Sequence, residues 1–139
     1  MASFNKCFPA LVGLVEGINS GTDTWKLVLS TSATAPTTAS TNKASVSEVA
    51  NGNGYTTGGV TLVVNTHTQA AGTYSLVFTT PSTPTWTAST AGFTFRYVNL
   101  WDSTTDTILG WWDYGSDVVM SGANGDTFTP ALTTAFTLT

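Results

Sequence analysis

Residues 93–101 read Phe-Thr-Phe-Arg-Tyr-Val-Asn-Leu-Trp, and this stretch alternates with a period of two. One predicted face carries Phe93, Phe95, Tyr97, Asn99 and Trp101. The other predicted face carries Thr94, Arg96, Val98 and Leu100. A period of two is the spacing of side chains on a β-strand, since successive residues point to opposite sides. We therefore predict a strand across this stretch.

The same alternation recurs along most of the chain. It predicts further strands over 25–30, 60–65, 73–79, 108–114, 117–120, 126–129 and 135–138. Turn dipeptides such as Asn53-Gly54, Gly58-Gly59 and Asn124-Gly125 separate these segments. Seven to nine short strands without intervening helices indicate an all-β fold, an antiparallel sandwich or a barrel. Of these, we expect an antiparallel β-sandwich of jelly-roll type.

One short N-terminal helix is expected over 9–19, where apolar residues follow helical spacing. The 139 residues predict a single domain, with 1–22 as an N-terminal helical element or arm. Residues 30–44 are almost wholly Thr, Ser and Ala, which predicts an exposed loop. Residues 44–50 fit either one helical turn or a short strand. The segments 1–8, 30–44 and the residues after Pro130 are candidate arms that order on binding.

Threonine dominates the composition, with 29 of 139 residues, and it favours strands. Charged residues make up 9% of the chain, where an average soluble domain carries roughly a quarter. Hydroxyl groups must therefore cover the surface, which indicates a structural or binding domain rather than an enzyme. The net charge is −4 and the four cations are scattered, so we expect no direct nucleic-acid partner.

The single cysteine, Cys7, excludes an internal disulfide and is expected to be a small buried residue. No apolar run reaches the 18 residues that suggest a transmembrane helix, so we expect no membrane partner. The apolar N-terminal stretch lacks a signal-peptide cleavage pattern, which favours synthesis in a cytoplasm without export.

Catalytic and metal-binding patterns are sparse in the sequence. His67 is the only histidine, and no serine lies in a Gly-x-Ser-x-Gly turn. Asp102 and Asp106 are expected to stabilise a turn through bonds to backbone N–H groups. One Cys and one His cannot close a zinc site. We therefore predict no catalytic residues, no metal and no cofactor, and a glycoside hydrolase ranks last among the functions considered.

The glycine-rich segment 52–59 has no lysine and precedes a strand, so it predicts a turn rather than a phosphate loop. Tyr55 is expected to pin this loop to the body of the protein. The densest aromatic cluster is Trp111-Trp112-Asp113-Tyr114. Adjacent strand residues face opposite sides, so one Trp enters the core. The other faces either outward or into a second packing surface, and alternation alone does not decide which.

The chain resembles the capsid cement, or decoration, proteins of tailed double-stranded DNA bacteriophages. The resemblance covers nearly the whole chain and rests on motifs in the order Gly52-Asn53-Gly54-Tyr55-Thr56-Thr57-Gly58-Gly59, Gly72-Thr73-Tyr74, Phe95-Arg96-Tyr97 and Gly110-Trp111-Trp112-Asp113-Tyr114-Gly115. It implies a jelly-roll sandwich on the capsid exterior that clamps neighbouring major capsid proteins. It also implies self-association, as a dimer about a two-fold axis, and it supplies no catalytic residues.

We therefore expect a structural virion protein that is made in the host cytoplasm. Aromatic residues concentrate at protein interfaces, and the candidates here are Trp86, Trp111, Trp112, Tyr55, Phe4 and Phe8. The alternative function is a receptor- or carbohydrate-binding module of a tail fibre or adhesin, with Trp86 or Trp111 as the platform.

Overall fold

A computed structural model of the chain describes residues 2–9, 17, 21–71, 73–79, 85–131 and 136–138. Every strand pairing among these residues is antiparallel, which confirms the predicted all-β class. The described strands are β1 (Phe4–Lys6), β2 (Trp25–Ser30), β3 (Val60–Thr61), β4 (Val63–Ala70), β5 (Thr73–Thr79), β6 (Trp86–Thr87), β7 (Phe93–Asp102), β8 (Thr107–Met120), β9 (Thr127–Phe128) and β10 (Phe136–Leu138).

The strands form three sheets. The largest has the order β1-β8-β7-β2-β3, the second has the order β10-β5-β4, and β6 pairs with β9 in the third. The predicted strand over 60–65 is divided between two sheets. Leu62 lies between β3 and β4, is buried, and donates its backbone N–H to Trp25 O at 2.8 Å. The chain therefore passes from one sheet to the next at this residue.

One apolar cluster joins members of all three sheets. Trp25 of β2 meets Phe78 of β5 with ring centroids 5.5 Å apart. Phe95 of β7 meets Phe128 of β9 at 4.5 Å. Full burial of a large apolar side chain stabilises a fold by about 1.5–3 kcal/mol, so these contacts bind the sheets to one another.

Strand β8 is a single long strand, where the sequence predicted two strands over 108–114 and 117–120. Phe95 lies opposite Val118 and Tyr97 lies opposite Asp113, so residues 114–117 stand opposite Arg96 alone. The extra residues form a bulge, which bends the strand without ending it. A second irregularity between Leu100 and Trp101 leaves one unpaired residue, 109, on β8.

The predicted arms are only partly free of regular structure. Phe4–Lys6 is strand β1 and pairs with β8, because this edge of β8 offers backbone groups for pairing. Phe136–Leu138 is strand β10 and pairs with β5. Residues 31–42 contain no strand or helix, and most of their side chains are exposed. The expected helix over 9–19 lies almost wholly outside the described residues. Of residues 44–50, Ala44 and Ser45 belong to a 3₁₀ turn that spans Lys43–Ser45.

Candidate functional site

Trp111 and Trp112 are both buried, and each is 8% exposed. Trp112 lies against Phe4 of β1, with ring centroids 4.6 Å apart. Trp111 lies on the face of the sheet opposite to Trp112, and its cross-strand partner is the fully buried Asn99. Of the two alternatives left open by alternation, the second packing surface is therefore correct, and neither indole faces outward in this structure.

Gly110 allows β1 to pair closely with this part of β8. It lies opposite Lys6, and a Cβ atom built on it would collide with the backbone oxygen of Asn5 and the ring of Phe4. Only a residue without a Cβ lets the two strands approach so closely. The Gly-Trp-Trp sequence thus places β1 beside β8 in the same sheet and brings Phe4 against Trp112.

Tyr55 and Trp86 are also buried, at 2% and 4% exposed. Trp86 stacks between Tyr55 and Phe128, with centroids 6.5 and 5.9 Å away. The Tyr55 hydroxyl donates to Glu48 Oε1 at 2.9 Å and accepts the backbone N–H of Leu29 at 3.2 Å. Burial, and then the nearby Glu48 carboxylate, raise the pKa of Tyr55 well above its ordinary range. The prediction that Tyr55 pins the glycine-rich loop is confirmed.

Phe8 is the one predicted interface residue that is largely exposed, at 63%. Its backbone N–H donates to Thr38 O at 2.7 Å, so the segment that carries it is tied to the exposed loop. Sequence reasoning missed Val63 and Val119, which are 47% and 72% exposed. The signal for Val63 was present, because it alternates with the buried Leu62.

The bulge of β8 is held by an ion pair. Arg96 donates from Nε and Nη2 to the two carboxylate oxygens of Asp113, at 2.9 and 3.1 Å. The N–H of Gly115 donates to Asp113 Oδ1 at 2.8 Å. The Arg96 hydrogen bonds lower the pKa of Asp113, and the same contact raises the pKa of Arg96. Tyr114 and Ala2 complete an open depression of about 450 Å³ beside the bulge.

The predicted role of Asp102 in a turn is confirmed. Its carboxylate is fully buried and accepts the N–H of Thr104 at 2.8 Å and the hydroxyl of Thr105 at 2.8 Å. Asp106 instead accepts the indole N–H of Trp101 at 2.9 Å and the N–H of Lys43 at 3.3 Å. The two carboxylates thus hold different segments.

Cys7 is fully buried, as predicted, and burial raises the pKa of its thiol to about 11. The backbone of His67 lies in β4, opposite Leu76. Within the part of the chain that the structure describes, no three His, Cys, Asp or Glu side chains are grouped to hold a metal ion. The described residues also include no helix long and apolar enough to cross a membrane.

Comparison with known proteins adds no relative. No protein-family model, curated protein or solved structure matches this chain. The likeness to capsid cement proteins therefore rests on the short ordered motifs of the sequence alone.

Proposed function

We propose that this chain is a capsid cement protein of a tailed bacteriophage, bound to the outer surface of the head across contacts between major capsid proteins. In this proposal the three sheets form a jelly-roll β-sandwich, and the chain self-associates as a dimer. The ordered motifs suggest the family. The observation that carries the proposal is a surface with few charges and several exposed apolar side chains.

The exposed apolar side chains lie on different parts of the molecule. Phe8 lies after β1, Val63 begins β4, and Val119 lies near the end of β8. A cement protein needs separate contact points of this kind, because it must touch more than one neighbour. Many copies in a shell then act together, so each contact can be weak.

The low charge of the surface supports the same role. Charged residues are 9% of the chain, so few ions would lose their hydration when the protein meets a capsid. Hydroxyl groups of Thr and Ser donate and accept hydrogen bonds, and water can bridge those that find no direct partner. Such a surface associates closely without strong electrostatic repulsion.

Purified heads with and without this protein provide the test. We expect heads that carry it to withstand higher temperature and stronger osmotic shock than stripped heads. Phe8→Ser should reduce rebinding to stripped heads, since it removes an exposed apolar contact, whereas Phe8→Leu keeps an apolar side chain and should bind. Equal resistance of loaded and stripped heads would reject the proposal.

The alternative of a receptor- or carbohydrate-binding module needs an exposed aromatic platform. Trp86 and Trp111 were the candidates for it, and both are buried against the protein's own residues. The geometry at those two positions therefore gives no support to the alternative.

A further inference from the structure

Charged side chains gather around one tryptophan. The chain has only four Lys or Arg and eight Asp or Glu residues. Four of these twelve, Lys26, Lys43, Glu48 and Asp106, lie beside Trp101 or line the depression next to it. A protein that otherwise covers its surface with hydroxyls thus concentrates ionic groups at this place.

Trp101 is also the tryptophan that keeps part of its surface accessible. All five tryptophans are described, and the other four are at most 8% exposed, whereas Trp101 is half-buried. Its indole N–H donates to Asp106 Oδ1 at 2.9 Å, which fixes the orientation of the ring. The ammonium groups of Lys43 and Lys26 lie 5.4 and 5.9 Å from its centroid, within cation–π range.

The depression beside this ring measures about 470 Å³. That volume falls within the range of small-molecule sites. It is lined by Lys43, Ala44, Val46, Glu48, Trp101, Ser103 and Asp106. Its walls therefore combine an aromatic ring with donors and acceptors of hydrogen bonds.

The polar groups in the depression are held in place before any ligand arrives. Lys43 Nζ pairs with Glu48 Oε2 at 2.6 Å. Asp106 Oδ1 accepts from Trp101 and from the backbone of Lys43, while Oδ2 receives no hydrogen bond from the described residues. The Ser103 hydroxyl donates to Thr24 O at 2.9 Å and retains its acceptor lone pairs. A site whose polar groups are already fixed loses less entropy on binding.

We infer that the Trp101 depression binds a neutral saccharide, with its apolar ring face toward the accessible part of the indole beside Lys43 and its hydroxyls on Asp106, Ser103 and Lys43. A sugar has an apolar ring face and hydroxyls that both donate and accept, which matches this lining. The two ammonium groups of Lys26 and Lys43 balance the two carboxylates of Glu48 and Asp106 beside the ring, so this place favours a neutral ligand over an anion such as a nucleotide. The inference does not depend on the proposed capsid role, since it concerns a site of the isolated chain.

The test is an NMR titration of the isotope-labelled full chain with methyl α-glucopyranoside, methyl β-galactopyranoside and N-acetylglucosamine. Thymidine monophosphate and inorganic phosphate serve as anionic comparison probes. We expect a saturable shift of the Trp101 indole N–H resonance with at least one neutral sugar and none with the anions. The resonance is assigned by its absence in Trp101→Leu, which should also abolish binding.

Asp106→Asn provides a second variant, in case Trp101→Leu does not fold. Asp106 has φ +54°, a conformation that Asn tolerates well, and Asn keeps an acceptor for the indole N–H. We expect roughly tenfold weaker sugar binding, since a charged acceptor is replaced by a neutral one. Val119→Ser, on an exposed site at the far end of the sheet, should bind as the unmodified chain does. The inference is overturned if no sugar shifts the Trp101 resonance, if Asp106→Asn binds with unchanged affinity, or if only the anions bind.

Discussion

Arg96 and Asp113 form a two-pronged ion pair where the register between β7 and β8 breaks. The guanidinium Nε and Nη2 donate to the two oxygens of Asp113 at 2.9 and 3.1 Å. Residues 114–117 then bulge outward opposite Arg96. The pair thus joins the last β8 residue before the bulge to the neighbouring strand and marks where the bulge begins.

Acid should weaken this part of the fold through Asp113. Its pKa is lowered in the folded state, chiefly by the hydrogen bonds from Arg96, so its contribution is present above the ordinary value of 3.8. That contribution is lost as the pH falls below 3.8 through the lower folded pKa. We expect Asp113→Asn to have a lower Tm at neutral pH and a shallower fall of Tm below pH 3.8 than the unmodified chain. Parallel acid profiles for the two proteins, measured by circular dichroism, would contradict this.

Removal of the Tyr55 hydroxyl should lower the stability of the fold. Tyr55→Phe leaves the buried N–H of Leu29 without this acceptor and Glu48 without one donor, so we expect a loss of about 1–3 kcal/mol in the free energy of unfolding. Because the folded pKa of Tyr55 is raised, its stabilising effect is present below pH ~10 and declines above that value. The difference between the two proteins should therefore narrow in alkali.

Tyr114→Phe is the matched control, since the Tyr114 side chain is 36% exposed. It should change stability by less than about 0.5 kcal/mol in a urea titration. If both tyrosine variants lose the same stability, the Tyr55 network has no special role.

Gly110 should be the glycine most directly responsible for the docking of β1. Gly110→Ala places a methyl group against Asn5 and Phe4, and we expect a loss of about 1–3 kcal/mol together with faster amide exchange in β1. A methyl group at Gly17 meets no atom of the described residues within 4 Å, so Gly17→Ala should change stability by no more than about 0.5 kcal/mol. Unchanged amide exchange of Lys6 in Gly110→Ala would show that β1 is not held in this way.

Both neighbouring tryptophans should behave as core residues. Since each is 8% exposed, Trp111→Ala and Trp112→Ala should each destabilise the fold by about 3–5 kcal/mol. Phe4→Ala should lower stability as well, because it uncovers Trp112. A shift of the tryptophan emission to longer wavelength after Phe4→Ala would confirm that Phe4 shields Trp112 from water. A near-neutral Trp112→Ala would instead indicate that β1 leaves the sheet in solution.

Alternation predicted the strands well but did not reveal which faces are covered. Phe95 and Tyr97 are buried as one expects from their spacing, yet Val98 and Leu100 on the opposite face are buried too. Local sequence cannot show this, because burial of the second face depends on segments that are distant in the chain. The same limit applied to Trp111 and Trp112.

The bulge of β8 was beyond prediction for a related reason. Gly115 lies between the two predicted strands over 108–114 and 117–120, and its φ of +83° departs from strand geometry. Strand pairing resumes after it because Val118 finds Phe95 across the sheet. That partner lies more than twenty residues away, and periodicity carries no information about it. The depression at Trp101 was missed similarly, since Lys43 and Asp106 come from separate loops.

A cryo-electron microscopy map of purified particles that carry this protein tests the central claim most directly. We predict density for the β body on the outer surface of the head, bridging neighbouring major capsid proteins, with Phe8 or Val119 at a contact. Density for the chain on the tail alone, or its absence from assembled particles, would contradict the account.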